Sequence, residues 1–198
     1  MATLKFPTDF SMPYNVTFTL DEDLREVPAQ PGAMRQAVNW LVKQMGAMQA
    51  DNSALARLLS MHGTYSRMLG ELDAALQSLE RSTALQVELR DERLSFVNAI
   101  RLGQVYQFRK EFERSDLLLA TATREAQSRS SLKPFLDRAH QCSGRNLFDQ
   151  GRYDEALEHF AAALKLREQR NDPELTALAR HCVTVTQARI AAKTKISA

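Results

Sequence analysis

The residues of this chain that could do metal chemistry are two histidine and cysteine pairs, His140 with Cys142 and His181 with Cys182. Imidazole and thiolate are ligands that zinc prefers in proteins. On a helix, residues two apart point about 200° away from each other and adjacent residues about 100°. The four side chains therefore do not converge on one ion, and we expect no metal site and no cofactor.

The two cysteines lie about one helical repeat apart, at equivalent places on neighbouring helices. Packed helix axes are about 8 to 10 Å apart, whereas a disulfide needs Cα atoms within about 7 Å. We therefore expect two reduced thiols. His62 and His159 have no partner in a catalytic motif, and the sequence contains no phosphate-binding glycine loop or nucleophile elbow. No catalytic residue is predicted.

Arginine offers a second kind of chemistry, because its guanidinium group binds a carboxylate through two parallel hydrogen bonds. Arginines recur through the helical part of the chain, with methionine and phenylalanine close to them in sequence. On helix surfaces, however, arginines are commonly solvated or paired with local acids such as Glu71, Asp116 and Glu155. Whether they form a binding surface depends on the elements that carry them.

Those elements are indicated by a glycine-centred pattern that recurs about every 40 residues, at Gly63, Gly103 and Gly144, and a period of this length predicts a repeat solenoid. A small residue in a first helix lets the paired helix approach closely. Gly70 and Gly151 follow where that helix should end, because glycine takes the left-handed conformation without strain. Small and large apolar residues then recur at helical spacing and predict a second helix.

The segments LGQVYQFRKEFERSDLLLATA and SGRNLFDQGRYDEALEHFAAALKLRE resemble tetratricopeptide repeats (TPRs). The long period and the segment ALKLREQRNDPELTALA are similar to repeats of kinesin light chains and of bacterial TPR regulators. Leu59, Ala99 and His140 replace the aromatic residue that is common early in the first helix. The resemblance implies an all-α fold, a right-handed superhelical α-solenoid of helix-turn-helix repeats with an extended N-terminal arm.

Prolines and the repeat pattern divide the chain into three predicted regions. Residues 1–31 form a proline-rich arm, residues 32–50 a capping helix, and residues 51–198 the TPR domain. Within that domain we predict repeats at about 52–90, 91–130 and 131–170, and a C-terminal capping helix at 173–195.

The arm is predicted to pack against protein rather than to remain a solvated tail. Val16, Phe18 and Leu20 alternate with polar residues, which is the period of an extended segment. Aromatic residues such as Phe6 and Phe10 make the arm too hydrophobic for a simple solvated tail. It either covers an end or face of its own solenoid or occupies a groove, its own or a neighbour's, and so competes with a ligand.

In proteins of the family that the chain resembles, the first helices line a concave groove. Carrying those positions over gives eleven predicted partner-binding residues: Arg57, Met61, Thr64, Arg67, Arg101, Gln104, Phe108, Arg138, Gln141, Arg145 and Phe148. An arginine-rich lining with methionine and phenylalanine suits an extended peptide that carries carboxylates and an apolar anchor.

These features favour a non-enzymatic adaptor or scaffold that binds an acidic peptide or protein segment in the concave groove. The alternative is a self-associating structural or regulatory homodimer built through the arm and the C-terminal helix. A net charge of +2 without a basic stripe predicts no nucleic-acid partner. Because no segment approaches the roughly 20 apolar residues of a membrane span, we expect no membrane partner and a cytoplasmic protein.

Overall fold

The computed structural model describes residues 12–48 and 50–196, and the arm residues Phe6 and Phe10 lie outside these ranges. The described residues form a two-stranded hairpin followed by eight α-helices. The strands are β1 (Phe18–Leu20) and β2 (Glu26–Pro28). The helices are α1 (Pro31–Ala47), α2 (Asn52–Met68), α3 (Leu72–Glu88), α4 (Glu92–Phe108), α5 (Phe112–Ser128), α6 (Leu136–Asp149), α7 (Tyr153–Gln169) and α8 (Pro173–Ile196).

The helix boundaries follow from capping chemistry. The Asp51 side chain accepts hydrogen bonds from the first amides of α2, and the Asp91 side chain does the same for α4. Gly70 and Gly151 end the first helices of their repeats with φ of +80° and +74°. In the middle repeat, Lys110 takes this left-handed conformation with φ of +60°. Each first helix is thereby turned back onto its second helix.

The marker glycines lie where the two helices of each repeat approach most closely. A Cβ atom added to Gly63 would lie 2.6 Å from Leu79 Cγ, and one added to Gly103 would lie 2.8 Å from Leu119 Cγ. In the third repeat, an added Cβ on Gly144 would lie 2.7 Å from the Phe160 ring. We call these three contacts the glycine seam. Consecutive helices from α1 to α8 pack against one another, and the predicted all-α solenoid is confirmed.

The N-terminal segment forms an antiparallel hairpin in which Leu20 pairs with Glu26. Its apolar side chains Val16, Phe18, Leu20 and Leu24 are all at most 5% exposed. They belong to one hydrophobic cluster with residues of α1, α2, α6, α7 and α8. The hairpin is therefore part of the core. No helix in residues 12–48 and 50–196 is both long and apolar enough to cross a membrane.

Candidate functional site

Glu26 of β2 lies at the centre of the surface formed by the first helices α2, α4 and α6. Its carboxylate accepts hydrogen bonds from Arg67 of α2 and Arg145 of α6, and both ion pairs are buried. Gln104 of α4 donates through Nε2 to Glu26 Oε2 at 3.5 Å. Three consecutive first helices thus point a donor at one carboxylate. Arg67 lies four residues after its marker glycine, and Gln104 and Arg145 each lie one residue after theirs.

The burial of Glu26 is compensated by these cations. Burial alone would raise the pKa of this carboxyl, but the charges of Arg145 and Arg67 outweigh burial and lower it to about 2. Burial also opposes the charge of Arg145, yet Glu26 raises the pKa of that guanidinium above its ordinary value. Glu26 and Arg145 therefore remain ionised at neutral pH.

A second contact fixes the hairpin turn to the end of α6. Arg25 donates from Nε and Nη2 to the two oxygens of Asp149, at 3.1 and 2.6 Å. Gln107 of α4 donates to the same carboxylate at 3.2 Å. The guanidinium carbons of Arg67 and Arg25 lie 4.7 and 5.7 Å from the centre of the Phe108 ring. The hairpin is thus held by charge, hydrogen bonds and an aromatic face.

The groove carries more positive charge than Glu26 neutralises. Arg101 of α4 donates to the Ser60 hydroxyl and forms no ion pair with any described residue. Burial, followed by repulsion from Arg138, lowers the pKa of Arg101 to about 9. Within the described part of the chain, Arg67 Nη1, Arg101 Nε, and Arg145 Nε and Nη2 are buried without a hydrogen-bond acceptor. Buried donors without an acceptor are costly.

The other predicted groove residues divide into core and rim positions. Met61 and Phe148 are buried in the core cluster with the hairpin. Thr64 donates to the Ser60 carbonyl oxygen of its own helix at 2.8 Å. Gln141 accepts from Arg167 at 2.7 Å and donates to Cys182 Sγ at 3.2 Å. Arg57 is half-buried on α2, and Arg138 lines a cavity between α6 and α8.

The histidines and cysteines form no metal centre among the described residues, where no three metal-ligating side chains come together. Cys142 and Cys182 are buried free thiols, and burial raises the pKa of both. The sequence analysis missed a contact of His159, whose Nδ1 lies 3.1 Å from Nδ1 of His140. That pair joins α6 to α7, and only the packing of those helices brings the rings together.

Sequence reasoning also missed the roles of Arg25 and Glu26. The acidic run that contains Glu26 is visible in the sequence, but three other acids lie beside it. Only the hairpin register, which pairs Glu26 with Leu20, places this side chain towards the helices. Arg25 gives no sequence signal at all.

Comparison with known proteins agrees with the helical repeat fold. Residues 137–170 match the family model of the tetratricopeptide repeat. The chain is similar in structure to nearly identical TPR-like repeats assigned to a kinesin light chain of Podosopora anserina, with a TM-score of 0.59 and 14% identity over 83% of this chain and 82% of that chain. A single-residue variant of that same protein gives a TM-score of 0.60 at the same identity and coverage. No curated protein sequence matches.

At 14% identity, the structural likeness establishes the fold alone. Together with the matched repeat at residues 137–170, it confirms the predicted TPR-like helical solenoid. Repeats of this kind indicate a protein-interaction module.

Proposed function

We propose that this chain is a non-enzymatic adaptor whose groove binds a protein segment carrying a carboxylate and apolar side chains, and whose own hairpin competes for that groove. The observation that carries the proposal is the convergence of Arg67, Gln104 and Arg145 on Glu26. Three helices that present donors to one acid form a surface suited to an acidic segment.

The hairpin indicates what a partner segment must offer. It places a carboxylate among buried guanidinium groups and inserts Phe18 and Leu20 beside it, each at most 5% exposed. A competing segment has to replace both the charge and the buried apolar area, which is worth roughly 1.5 to 3 kcal/mol for each large side chain. We therefore expect an acidic segment with at least one large apolar residue, and a partner that lacks either feature should not displace the hairpin.

The test is binding of a fluorescent peptide with the sequence of residues 12–30 to the full chain. We compare the unchanged chain with Arg25→Ala, which removes the partly exposed contact to Asp149 but no apolar side chain. If loss of this contact weakens docking of the chain's own hairpin by about 1 to 2 kcal/mol, the apparent affinity for added peptide should rise roughly 5-fold to 30-fold. A matched control is Arg114→Ala, which removes an exposed arginine of α5 whose ion-pair partner is Glu111 and should leave peptide binding unchanged.

The peptide itself supplies the second comparison. A peptide with Gln in place of Glu26 should bind at least about tenfold more weakly, because a hydrogen bond to a charged group contributes about 1.5 to 3 kcal/mol. Equal binding of the two peptides would contradict the carboxylate requirement. Absence of binding to Arg25→Ala, in a chain that remains folded by circular dichroism, would contradict a replaceable hairpin.

The homodimer alternative remains a prediction with weaker support. Within one chain the arm residues Val16, Phe18 and Leu20 are already buried. On α8, Arg189 lies 3.6 Å from Asp23 of the hairpin turn, so these two elements contact each other without a second copy. A mass that doubles with concentration in sedimentation equilibrium would favour the homodimer, and a constant monomer mass would contradict it.

A further inference from the structure

The hairpin brings two adjacent residues of opposite charge to the groove. Glu26 is held by one set of residues, which we call the acid subsite and which comprises Arg67, Gln104 and Arg145. Arg25, directly before Glu26, contacts a different set, which we call the cation subsite and which comprises Gln107, Phe108 and Asp149. One short segment thus delivers a cation and an anion to two separate places.

The cation subsite is built around the carboxylate of Asp149, whose side chain is 8% exposed. Its two oxygens accept hydrogen bonds from Nε and Nη2 of Arg25, which is the paired geometry that a guanidinium prefers. Gln107 donates to the same carboxylate, and the face of the Phe108 ring attracts the cation. Among the described residues, Asp149 forms an ion pair with Arg25 alone.

The position of this subsite at helix ends increases the need for a cation. Asp149 is the last residue of α6, and Phe108 is the last residue of α4. The C-terminal end of a helix carries a partial negative charge, which disfavours a carboxylate there. Burial adds to that cost when no cation is present. A segment that replaces the hairpin without supplying a cation would therefore leave Asp149 buried and uncompensated.

The two subsites lie in a fixed order along the first helices. Gln104 and Arg145 of the acid subsite each lie four residues, or about one helical turn, before Phe108 and Asp149 of the cation subsite. The Phe108 ring lies beside both subsites, because the guanidinium of Arg67 also lies over it, at 4.7 Å. A segment that runs in the direction of the hairpin must therefore present its cation before its acid.

We propose that the cation subsite selects partner segments in which a basic residue stands directly before the acid. This inference rests on the proposed exchange of the hairpin for a partner, and it adds that segments with an acid alone are rejected. Arginine should be preferred to lysine at this position, because a guanidinium can donate to both oxygens of Asp149 while lying over Phe108.

The test measures, by fluorescence anisotropy, binding of labelled peptides of residues 12–30 to the full chain carrying Arg25→Ala. One peptide is unchanged, a second carries Arg25→Gln, and a third exchanges the two charges through Arg25→Glu and Glu26→Arg. We expect the second to bind at least about tenfold more weakly, because it loses the hydrogen bonds between two charged groups. The third should be weakened at least as much, although its composition and net charge equal those of the unchanged peptide.

The subsite is located by adding Asp149→Asn to the Arg25→Ala chain. The preference for the unchanged peptide over the Arg25→Gln peptide should then fall to about threefold or less, as expected when one partner of a coupled pair is removed. Asp154→Asn is the matched control, because Asp154 is an exposed acid near the start of α7. It should keep the full preference, and circular dichroism checks that both chains are folded.

The outcomes distinguish this inference from the proposed function. Absence of binding by all three peptides would overturn the proposed function and this inference with it. Equal binding of the unchanged and Arg25→Gln peptides would overturn this inference alone, since the requirement for the acid is measured separately with the Glu26 peptide. Equal binding of the charge-exchanged peptide would overturn the fixed order, and a preference that survives Asp149→Asn would overturn the assignment of the subsite to Asp149.

Discussion

The glycine seam and the groove use different residues of the same first helices, and the two regions are held together by different interactions. In the seam, a Cβ atom added to Gly63 would lie 2.6 Å from Leu79 and one added to Gly144 would lie 2.7 Å from Phe160, and the same arrangement repeats along the chain. In the groove, Arg67 and Arg145 meet Glu26 once, through buried ion pairs. The seam depends on shape between neighbours in sequence, whereas the groove depends on charge brought from a distant segment.

This difference shows where the molecule can change. A side chain added at a seam glycine would push the two helices of that repeat apart, because the packing leaves no room for a Cβ atom. The buried ion pairs of the groove contribute little net free energy to folding, because the cost of desolvating the charges offsets their attraction. Removing one partner of a pair, however, leaves the other charge buried and uncompensated. A groove of this kind is stable when filled and costly when empty, which is consistent with the exchange of occupants proposed above.

The largest expected effect comes from Glu26→Gln, which removes the only acid that Arg67 and Arg145 share among the described residues. We expect unfolding to become easier by about 3 to 5 kcal/mol, because two cations remain buried without a counter-charge. Urea unfolding at neutral pH measures this loss. Glu22→Gln is the control, since Glu22 is exposed on the same hairpin, and a loss below about 1 kcal/mol for Glu26→Gln would contradict the comparison.

The seam is tested by Gly63→Ala. The added Cβ would lie 2.6 Å from Leu79 Cγ and 3.0 Å from the Ala75 carbonyl oxygen, so we expect a loss of about 1 to 3 kcal/mol from overpacking. In the control Gly46→Ala, the added Cβ meets no atom within 4 Å, and the helix should gain about 0.5 to 1 kcal/mol. Equal changes in the denaturation midpoints of the two variants would show that the close approach of the two helices does not determine the cost of the substitution at Gly63.

The groove and the contact between α6 and α7 are expected to lose stability in different pH ranges. Burial, with His159 nearby, lowers the pKa of His140 from 6.5 to about 4, and burial lowers that of His159 as well. Between these values the unfolded chain binds more protons than the folded one, so stability falls as pH drops from about 6.5 towards about 4. Glu26 loses its contribution lower, between about 4.5 and about 2.

The stability loss caused by the two histidines is measured by urea unfolding of the unchanged chain and of His159→Gln at several pH values between about 7 and about 4. Over this pH range we expect the free energy of unfolding of the unchanged chain to fall by about 1 to 2 kcal/mol. The fall is smaller than the pKa shifts alone would give, because both rings are only partly buried. Asp137 attracts protonated His140, and Glu155 and Glu158 attract protonated His159, which limits the loss. His159→Gln should show a smaller pH dependence, and an unchanged slope would exclude the histidine pair as its cause.

The smallest expected effect sharpens the comparison among the repeats. Lys110 takes the left-handed conformation, with φ of +60°, that Gly70 and Gly151 take in the other repeats. Lys110→Gly should raise stability by about 0.5 to 1 kcal/mol, because glycine adopts this conformation without a Cβ clash. Thermal unfolding measures the gain, and Gly70→Ala should give the opposite sign. A loss for Lys110→Gly would mean that its side chain contributes more than the strain costs.

The parts of the fold that could be predicted are those encoded by neighbours in sequence. The spacing of Gly63, Gly103 and Gly144 predicted the helix pairs, and the alternation from Val16 to Leu20 predicted an extended segment. The predicted groove also included Arg67, Gln104 and Arg145, which the structure brings to one carboxylate. What these residues contact could not be predicted, because hairpin register and docking are settled by contacts between residues far apart in the chain.

The sequence by itself therefore determined the repeat, since close helix packing requires a small residue at a regular interval and a helix end requires a backbone that can turn left-handed. Only the tertiary structure decided that Glu26 lies among the arginines and that His140 meets His159. It also decided that a cavity remains between α6 and α8. The physical reason is that local steric rules act within a few residues, whereas buried charge is compensated by whichever segment the whole fold brings near.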